Sequence, residues 1–142
     1  MGFTISEKIL AKKAGMSSCR AGEILECDID LAMTHDNTVR VLPPFIQMGG
    51  KKVWDSECIV IVIDHIVPAI SEEIAKNHKT VHEFAVKQKI KYYYGITEGV
   101  CHQVLIEKKH VKPGMLILGA DSHTCTAGAA RNRPYRVFQH GN

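Results

Sequence analysis

Two short polar segments directly follow apolar runs, and their residue types suit acid–base chemistry. They are Asp64-His65, which follows residues 59–63, and Asp121-Ser122-His123, which follows residues 115–120. Aliphatic runs that are apolar at nearly every position are typical of strands buried on both faces, mostly parallel strands of α/β domains. Ligands collect beyond the carboxyl ends of parallel strands. The two segments are therefore predicted to share one crevice, where carboxylates and imidazoles could transfer protons to and from a small polar substrate.

Each segment also has a purely structural interpretation. Asp64 and His65 are neighbours on an extended chain, so their side chains point apart and need not pair with one another. Taken alone, that dipeptide favours a structural role. Asp121 or Ser122 could simply cap a helix that begins there, and this explanation is about as consistent with the local sequence.

Further histidines carry less information by themselves. His35 and Asp36 lie in a segment, residues 32–38, that the sequence predicts to be a polar turn, where an Asx turn accounts for them. His78 and His82 have the four-residue spacing that two metal ligands on a helix can have. No third ligand is suitably spaced, so a plain helix face is the better interpretation.

The cysteines indicate reduced thiols. The five are Cys19, Cys27, Cys58, Cys101 and Cys125. Their number is odd and no CxxC pair occurs, which argues against a disulfide framework and against a zinc ribbon. Cys125 could be a reactive or metal-binding thiol, but we expect a small residue packed in the core. The sequence thus predicts no metal ligands in this chain, and a cytoplasmic location.

Length and composition favour one soluble globular domain. The chain has 142 residues, of which 45% are hydrophobic and 23% charged, as in ordinary globular proteins. A formal net charge of +3 without a basic stripe argues against nucleic-acid binding. No apolar stretch is long enough for a membrane span, and the N-terminus lacks a hydrophobic signal core.

The elements that would position these residues alternate between strand and helix. We predict strands over residues 22–31 and 59–63, near residues 92–94, and over residues 115–120. A first helix is predicted from the capping box at Thr4 and Glu7 to about Gly15. A long helix from Ser71 to about residue 89 and a short helix over residues 100–107 are predicted between the later strands. This pattern predicts an α/β fold in which helices flank a parallel sheet.

Five stretches together resemble the aconitase superfamily. They are residues 4–15, 30–36, 62–68, 98–105 and 113–128. Within the superfamily, they are most similar to the large-subunit families of 3-isopropylmalate dehydratase and homoaconitase. The similarity runs from residue 4 to about residue 129, in family order and spacing, and implies the first domain of the aconitase fold.

The resemblance implies a hydro-lyase that isomerises a hydroxy di- or tricarboxylic acid by removing and re-adding water. In leucine biosynthesis this reaction interconverts 2- and 3-isopropylmalate, and homoaconitase is the alternative. Full-length family members use a [4Fe-4S] cluster as a Lewis acid. Their partner is a small subunit that carries a swivelling domain.

Site residues follow from the same resemblance. The catalytic positions correspond here to Asp64, His65, His102 and His123, and the substrate-binding positions correspond to His35, Asp121 and Ser122.

The chain departs from the family pattern at several points. Asn37 replaces the usual glycine, and Val39-Arg40 stands where Thr-Pro is typical. None of the cysteines occupies a cluster-ligand position. We therefore expect residues 1–129 to form a partial, truncated first domain and residues 130–142 to be an atypical Arg-rich tail that is dispensable for stability.

Two consequences follow from these departures. This chain alone is expected to hold no cluster and to be inactive. A catalytically inactive fragment that acts as a binding or regulatory domain is the alternative from a different functional class.

Overall fold

A four-stranded parallel sheet forms the centre of the computed structural model, which describes residues 2–132. The strands are β1 (Leu31–Thr34), β2 (Ile59–Val62), β3 (Tyr92–Tyr94) and β4 (Ile117–Gly119). Their order is β3-β2-β1-β4, and every pairing is parallel. In chain order, β1, β2 and β3 follow one another toward one edge of the sheet, and β4 then pairs with the opposite side of β1. In open α/β sheets, ligands bind beyond the strands' carboxyl ends where the strand order reverses in this way.

Helices cover both faces of this sheet. They are α1 (Ile5–Lys13), α2 (Thr38–Gln47), α3 (Glu72–Gln88), α4 (Cys101–Glu107) and a 3₁₀ helix (Thr124–Asn132). The predicted capping box of α1 is confirmed, since Thr4 and Glu7 exchange hydrogen bonds. The side chain of Ser71 caps α3. Among the described residues, none of the helices has the length and hydropathy to cross a membrane.

Alternation along β2 divides the core into two layers. Ile59 and Ile61 point toward α3 and pack with its residues Val81 and Ala85. Val60, the intervening residue, points to the other face and packs in a cluster with α4. Successive side chains of a strand face opposite sides, so a strand that is apolar at every position requires cover on both. The predicted α/β architecture is confirmed.

The predicted strand over residues 22–31 is wrong in its position. Residues 23–29 have no regular structure, and β1 begins at Leu31 and continues through residues that were expected to form a polar turn. Leu31 and Met33 are buried in the core, whereas the acidic residues that precede them remain close to solvent. Burial of alternate side chains, rather than the imperfect alternation upstream, thus determines where the strand forms.

Helix α2 lies between the first two strands, where the sequence analysis predicts no helix or strand. Helix α2 contains Pro43 and Pro44, which remove two backbone donors and are unfavourable inside a helix. Part of its apolar surface compensates by packing, as where the Phe45 ring meets the Phe84 ring of α3 edge-on at 6.1 Å, whereas Val41 and Ile46 remain exposed. Tertiary contacts therefore override the local propensity.

The end of the predicted domain is described only in part. The last strand covers three residues, Ile117–Gly119, within the predicted range 115–120. The turn after it continues as a 3₁₀ helix. Most of the predicted Arg-rich tail, residues 133–142, lies outside the described residues.

Candidate active site

The predicted site residues meet at the carboxyl ends of three adjacent strands. His35 directly follows β1, Asp64 lies two residues after β2, and Asp121 lies two residues after β4. His102, in the first turn of α4, contacts Asp121 from the side. The structure thus brings the two polar segments together in one place, as the sequence predicts.

Asp121 lies at the centre of this arrangement. Its Oδ1 accepts a hydrogen bond from His102 Nε2 at 2.6 Å and another from the backbone N–H of His123 at 2.7 Å. Its Oδ2 lies 3.2 Å from His65 Nε2. Partial burial raises the pKa of this carboxyl group, but the hydrogen bonds from His123 and His102 outweigh it and lower the pKa to about 2. Asp121 is therefore a carboxylate at neutral pH.

Asp64 and His65 pair with each other, contrary to the expectation that neighbours on an extended chain point apart. His65 Nδ1 lies 2.7 Å from Asp64 Oδ1, because the chain has already left β2 at this point. Asp64 Oδ2 accepts a hydrogen bond from the backbone N–H of Cys101, so this carboxylate also anchors the start of α4. The carboxylate of Asp64, whose side chain is buried, therefore both holds the start of α4 and contacts the His65 imidazole.

His65 is placed to carry a proton. Its two ring nitrogens face two carboxylates, those of Asp64 and Asp121. Both contacts are hydrogen bonds only when both nitrogens are protonated. The hydrogen bond to Asp64 and the two negative charges raise the pKa of His65 above its ordinary value. With 39% of its side chain exposed, the ring remains accessible from the crevice.

His35 lies beneath His65 rather than beside the open crevice. The two rings stack with their centroids 3.9 Å apart, and only 2% of the surface of His35 is exposed. Its Nε2 donates to the carbonyl of Ala120 at 3.0 Å. In this arrangement His35 supports the His65 ring and ties β1 to the end of β4.

Asp36 does not form the predicted local Asx turn. Its Oδ2 instead accepts hydrogen bonds from the backbone N–H groups of His65, at 2.5 Å, and Ile66, at 3.3 Å. His78 Nε2 lies 3.0 Å from Asp36 Oδ1, although the pair is out of line for a hydrogen bond. The sequence analysis missed this role of Asp36. Its backbone partners are 29 and 30 residues away in the chain, so no local motif indicates them.

Ser122 and His123 face solvent next to Asp121. Ser122 Oγ lies 3.1 Å from His123 Nδ1, and 77% of the His123 side chain is exposed. The contact of Asp121 with the His123 amide also caps the turn that follows, and Thr124 Oγ1 adds a hydrogen bond to the Asp121 carbonyl. The capping and site interpretations of Asp121 are therefore compatible.

The cysteines of this chain do not fit an iron–sulfur cluster. The thiols of Cys19 and Cys27 contact the carbonyls of helix α1, and the Cys58 thiol contacts the Asp55 carboxylate. Burial, with a smaller contribution from Asp64, raises the pKa of Cys101 to about 12. Cys125 is exposed, so its predicted core position is wrong.

Candidate metal ligands gather elsewhere. Within residues 2–132, the groups of three or more such ligands consist of histidines and carboxylates without any cysteine. A thiolate cage is accordingly absent from the described part of the chain.

A family model and several known proteins match the sequence of this chain. Residues 7–130 match the family model described as Aconitase family (aconitate hydratase). The chain is 52% identical over 130 residues to the probable 3-isopropylmalate dehydratase large subunit of Methanothermobacter thermautotrophicus, which covers 91% of this chain and 31% of that relative. It is 51% identical over 130 residues to the 3-isopropylmalate dehydratase large subunit 1 of Methanopyrus kandleri, with the same coverage, 91% and 31%.

A relative with a different name is almost as similar. The probable methanogen homoaconitase large subunit of Methanothermobacter thermautotrophicus is 48% identical over 132 residues, which cover 89% of this chain and 31% of that relative. The chain therefore spans about a third of the length of the curated relatives it matches.

Proposed function

The chain belongs to the aconitase family, and on that premise we propose that it forms the proton-transfer part of a hydro-lyase active site. The reaction would remove water from a hydroxy di- or tricarboxylic acid and add it back. One observation carries this proposal: the accessible imidazole of His65 is held between the carboxylates of Asp64 and Asp121.

The contacts of His65 support its role as the acid for the leaving hydroxyl. Loss of a hydroxyl group as water requires a proton from a positioned group whose pKa is near neutrality. An imidazolium that both carboxylates stabilise can supply that proton, and Asp64 fixes the ring orientation through Nδ1. Formation of the double bond also breaks a C–H bond, whose proton a base outside this chain would accept. In reverse, the hydroxyl of water joins one carbon as its proton passes to His65, and that base returns a proton to the other carbon.

The neighbouring residues have complementary roles in this proposal. His102 holds Asp121 through a 2.6 Å hydrogen bond, and Asp121 in turn contacts His65, so His102 can assist proton transfer. Ser122 and His123 are exposed at the rim, where they can contact substrate. We propose that His35 acts from beneath, by fixing the plane of His65.

We further propose that the substrate pair is 2- and 3-isopropylmalate, as for the large subunit of a two-subunit dehydratase in leucine biosynthesis. The names of the relatives at 52% and 51% identity support this choice. The name of the relative at 48% identity supports homoaconitase as the second candidate. A small subunit is the proposed partner, and the free state of all five cysteines supports a cytoplasmic location.

The 142-residue chain by itself is proposed to be inactive. The cluster that the family resemblance implies needs thiolate ligands. All five cysteines of this chain are free, and none belongs to the ligand groups described above.

Chimeric enzymes test the proposed function. Residues 4–129 of this chain would replace the matching segment of the Methanothermobacter dehydratase large subunit and, in a second chimera, that of its homoaconitase relative. Each chimera is assayed with its small subunit on 3-isopropylmalate and on homoaconitate. We expect turnover of 3-isopropylmalate in the first chimera and weaker activity of the second on its own substrate.

Point variants in the active chimera test the residue assignment. His65→Gln should lower kcat by about 10²–10⁴-fold, the usual contribution of a positioned acid or base. His82→Gln, which alters an exposed histidine on α3, should leave kcat unchanged. If only the homoaconitase chimera is active, the substrate assignment changes to the second candidate. If both chimeras fold but neither turns over, the chain acts as a binding domain without catalysis.

A further inference from the structure

We propose that His102, Asp121 and His123 bind a single divalent transition-metal ion, such as Zn²⁺, in this chain. This site is distinct from an iron–sulfur cluster, because its donor atoms are imidazole nitrogens and a carboxylate oxygen. The inference goes beyond the proposed hydro-lyase function and does not depend on it.

The donor atoms are already close to the distances that a metal requires. His102 Nε2 lies 2.6 Å and His123 Nδ1 lies 3.6 Å from Asp121 Oδ1. All three donor atoms lie within 4.8 Å of one another. In a tetrahedral zinc site with bonds of about 2.0–2.1 Å, neighbouring ligand atoms are about 3.3–3.4 Å apart. The observed separations from Asp121 bracket that value, so small side-chain movements would complete the site.

The His123 side chain can make the movement that the site requires. His123 has 77% of its side chain exposed, and its contact through Nδ1 is with the exposed Ser122 hydroxyl. Its ring can therefore turn toward the Asp121 carboxylate at little cost. His102 is mostly buried on α4 and supplies the fixed ligand. A metal ion would replace the proton that now lies between His102 Nε2 and Asp121 Oδ1.

The chemistry of the donor set indicates the class of ion. Two imidazoles and one carboxylate suit Zn²⁺ and Fe²⁺, and they leave positions open for water or another ligand. Ca²⁺ and Mg²⁺ prefer sites made of oxygen atoms. The exposed position of His123 at the rim gives an ion a path into the site.

A second layer of contacts holds the central ligand in place. His65 Nε2 lies 3.2 Å from Asp121 Oδ2, on the side away from His102. Asp64 in turn orients His65 through the other ring nitrogen. Contacts of this kind orient ligand groups and increase metal affinity. Because His102 and Asp121 come from separate elements, no motif spacing in the sequence indicates this site, which explains why the sequence analysis predicted no metal ligand.

Titration of the metal-free 142-residue chain with zinc chloride, followed by calorimetry, tests the proposal. We expect one ion per chain. Replacement by Co²⁺ should give the intense visible bands of four- or five-coordinate cobalt without a thiolate charge-transfer band. His123→Ala should weaken zinc binding by at least about tenfold, in the range of changes seen when metal-site residues are altered. His82→Ala, a change of another exposed histidine, should leave the affinity unchanged.

Asp121→Asn provides a second variant, and circular dichroism checks that each variant is folded. Loss of zinc binding in folded His123→Ala and Asp121→Asn, with retention in His82→Ala, supports the site. Binding without a defined stoichiometry, equal losses in His123→Ala and His82→Ala, or a cobalt–thiolate band would overturn it. Failure of the chimeric enzymes would leave this result unaffected, since the titration measures no turnover.

Discussion

The carboxylate of Asp36 reaches from the end of β1 to the backbone of His65, whose N–H donates to Oδ2 at 2.5 Å. The same oxygen accepts a hydrogen bond from Ile66, and His78 lies 3.0 Å from the other oxygen. This contact ties the loop after β2 to the neighbouring strand. It therefore determines where the chain places the His65 imidazole, which the stacking of His35 then holds from below.

Removal of this carboxylate should destabilise the fold. Asp36→Ala leaves two backbone donors without their partner, and hydrogen bonds to charged groups contribute about 1.5–3 kcal/mol each. We expect the free energy of unfolding to fall by roughly 2–3 kcal/mol, as measured by urea denaturation. Asp36→Asn keeps an acceptor oxygen and should lose less.

Asp28→Ala is the matched control for Asp36→Ala. The Asp28 side chain is exposed, so its removal should change stability by no more than about 0.5 kcal/mol. Equal effects of the two alanine substitutions would show that the buried contact of Asp36 contributes nothing specific.

The protonation of His65 should depend on Asp64. The hydrogen bond to Asp64 is the main cause of the raised pKa of His65, and the charges of Asp64 and Asp121 add to it. A nuclear magnetic resonance titration of the imidazole should give a pKa above 6.5 in the original chain, and Asp64→Asn should lower that pKa. An unchanged pKa in folded Asp64→Asn would contradict the assignment.

The linked effect on stability has a definite sign. Because the folded-state pKa of His65 is raised, its protonation stabilises the fold fully below the unfolded-state value of 6.5. That contribution is lost as the pH rises through the higher folded-state pKa. In Asp64→Asn this part of the pH dependence should be smaller.

Asp121 should produce the opposite dependence at acid pH. Its pKa is lowered from 3.8 to about 2, so the carboxylate stabilises the fold above pH 3.8, and this contribution is lost as the pH falls toward 2. Thermal unfolding of the chain should show a stability that decreases over this interval. Asp121→Asn should reduce the decrease, whereas Asp28→Asn, at an exposed position, should not. If the original chain, Asp121→Asn and Asp28→Asn lose the same stability as the pH falls from 3.8 to about 2, this role of Asp121 is contradicted.

The elements that the sequence predicts correctly are those determined by burial and capping within a short stretch of chain. The apolar run of β2 has to be covered on both faces, and Ser71 Oγ accepts a hydrogen bond from an otherwise unpaired backbone N–H at the start of α3. Because the carboxyl ends of parallel strands lie at the same edge of a sheet, the meeting of His65 and Asp121 also follows from the sequence.

The remaining features depend on contacts between distant residues. The start of β1 at Leu31 and the helix around Pro43 result from packing on the sheet, which a local pattern does not encode. The burial of His35 requires the Ala120 carbonyl, which is 85 residues away in the chain. The contact between Asp36 and His65 is likewise absent from any local motif.

The two-faced burial of β2 predicts a large cost for removing one of its side chains. Ile61 is fully buried, at 0% exposure, and packs against Val81 and Ala85 of α3. Ile61→Ala removes apolar contacts and leaves a cavity, which typically costs about 2–5 kcal/mol. We expect a loss of this size in urea denaturation, without a change in the denaturant dependence of the free energy of unfolding.

Ile24→Ala makes the same chemical change at a side chain that is 100% exposed. It should alter stability by no more than about 0.5 kcal/mol, since no buried contact is lost. Comparable losses in the two variants would mean that the β2 side chains do not occupy the packed layer between the sheet and α3. The carboxyl end of β2, which carries Asp64 and His65, would then lack the rigid support that the proposed active site requires.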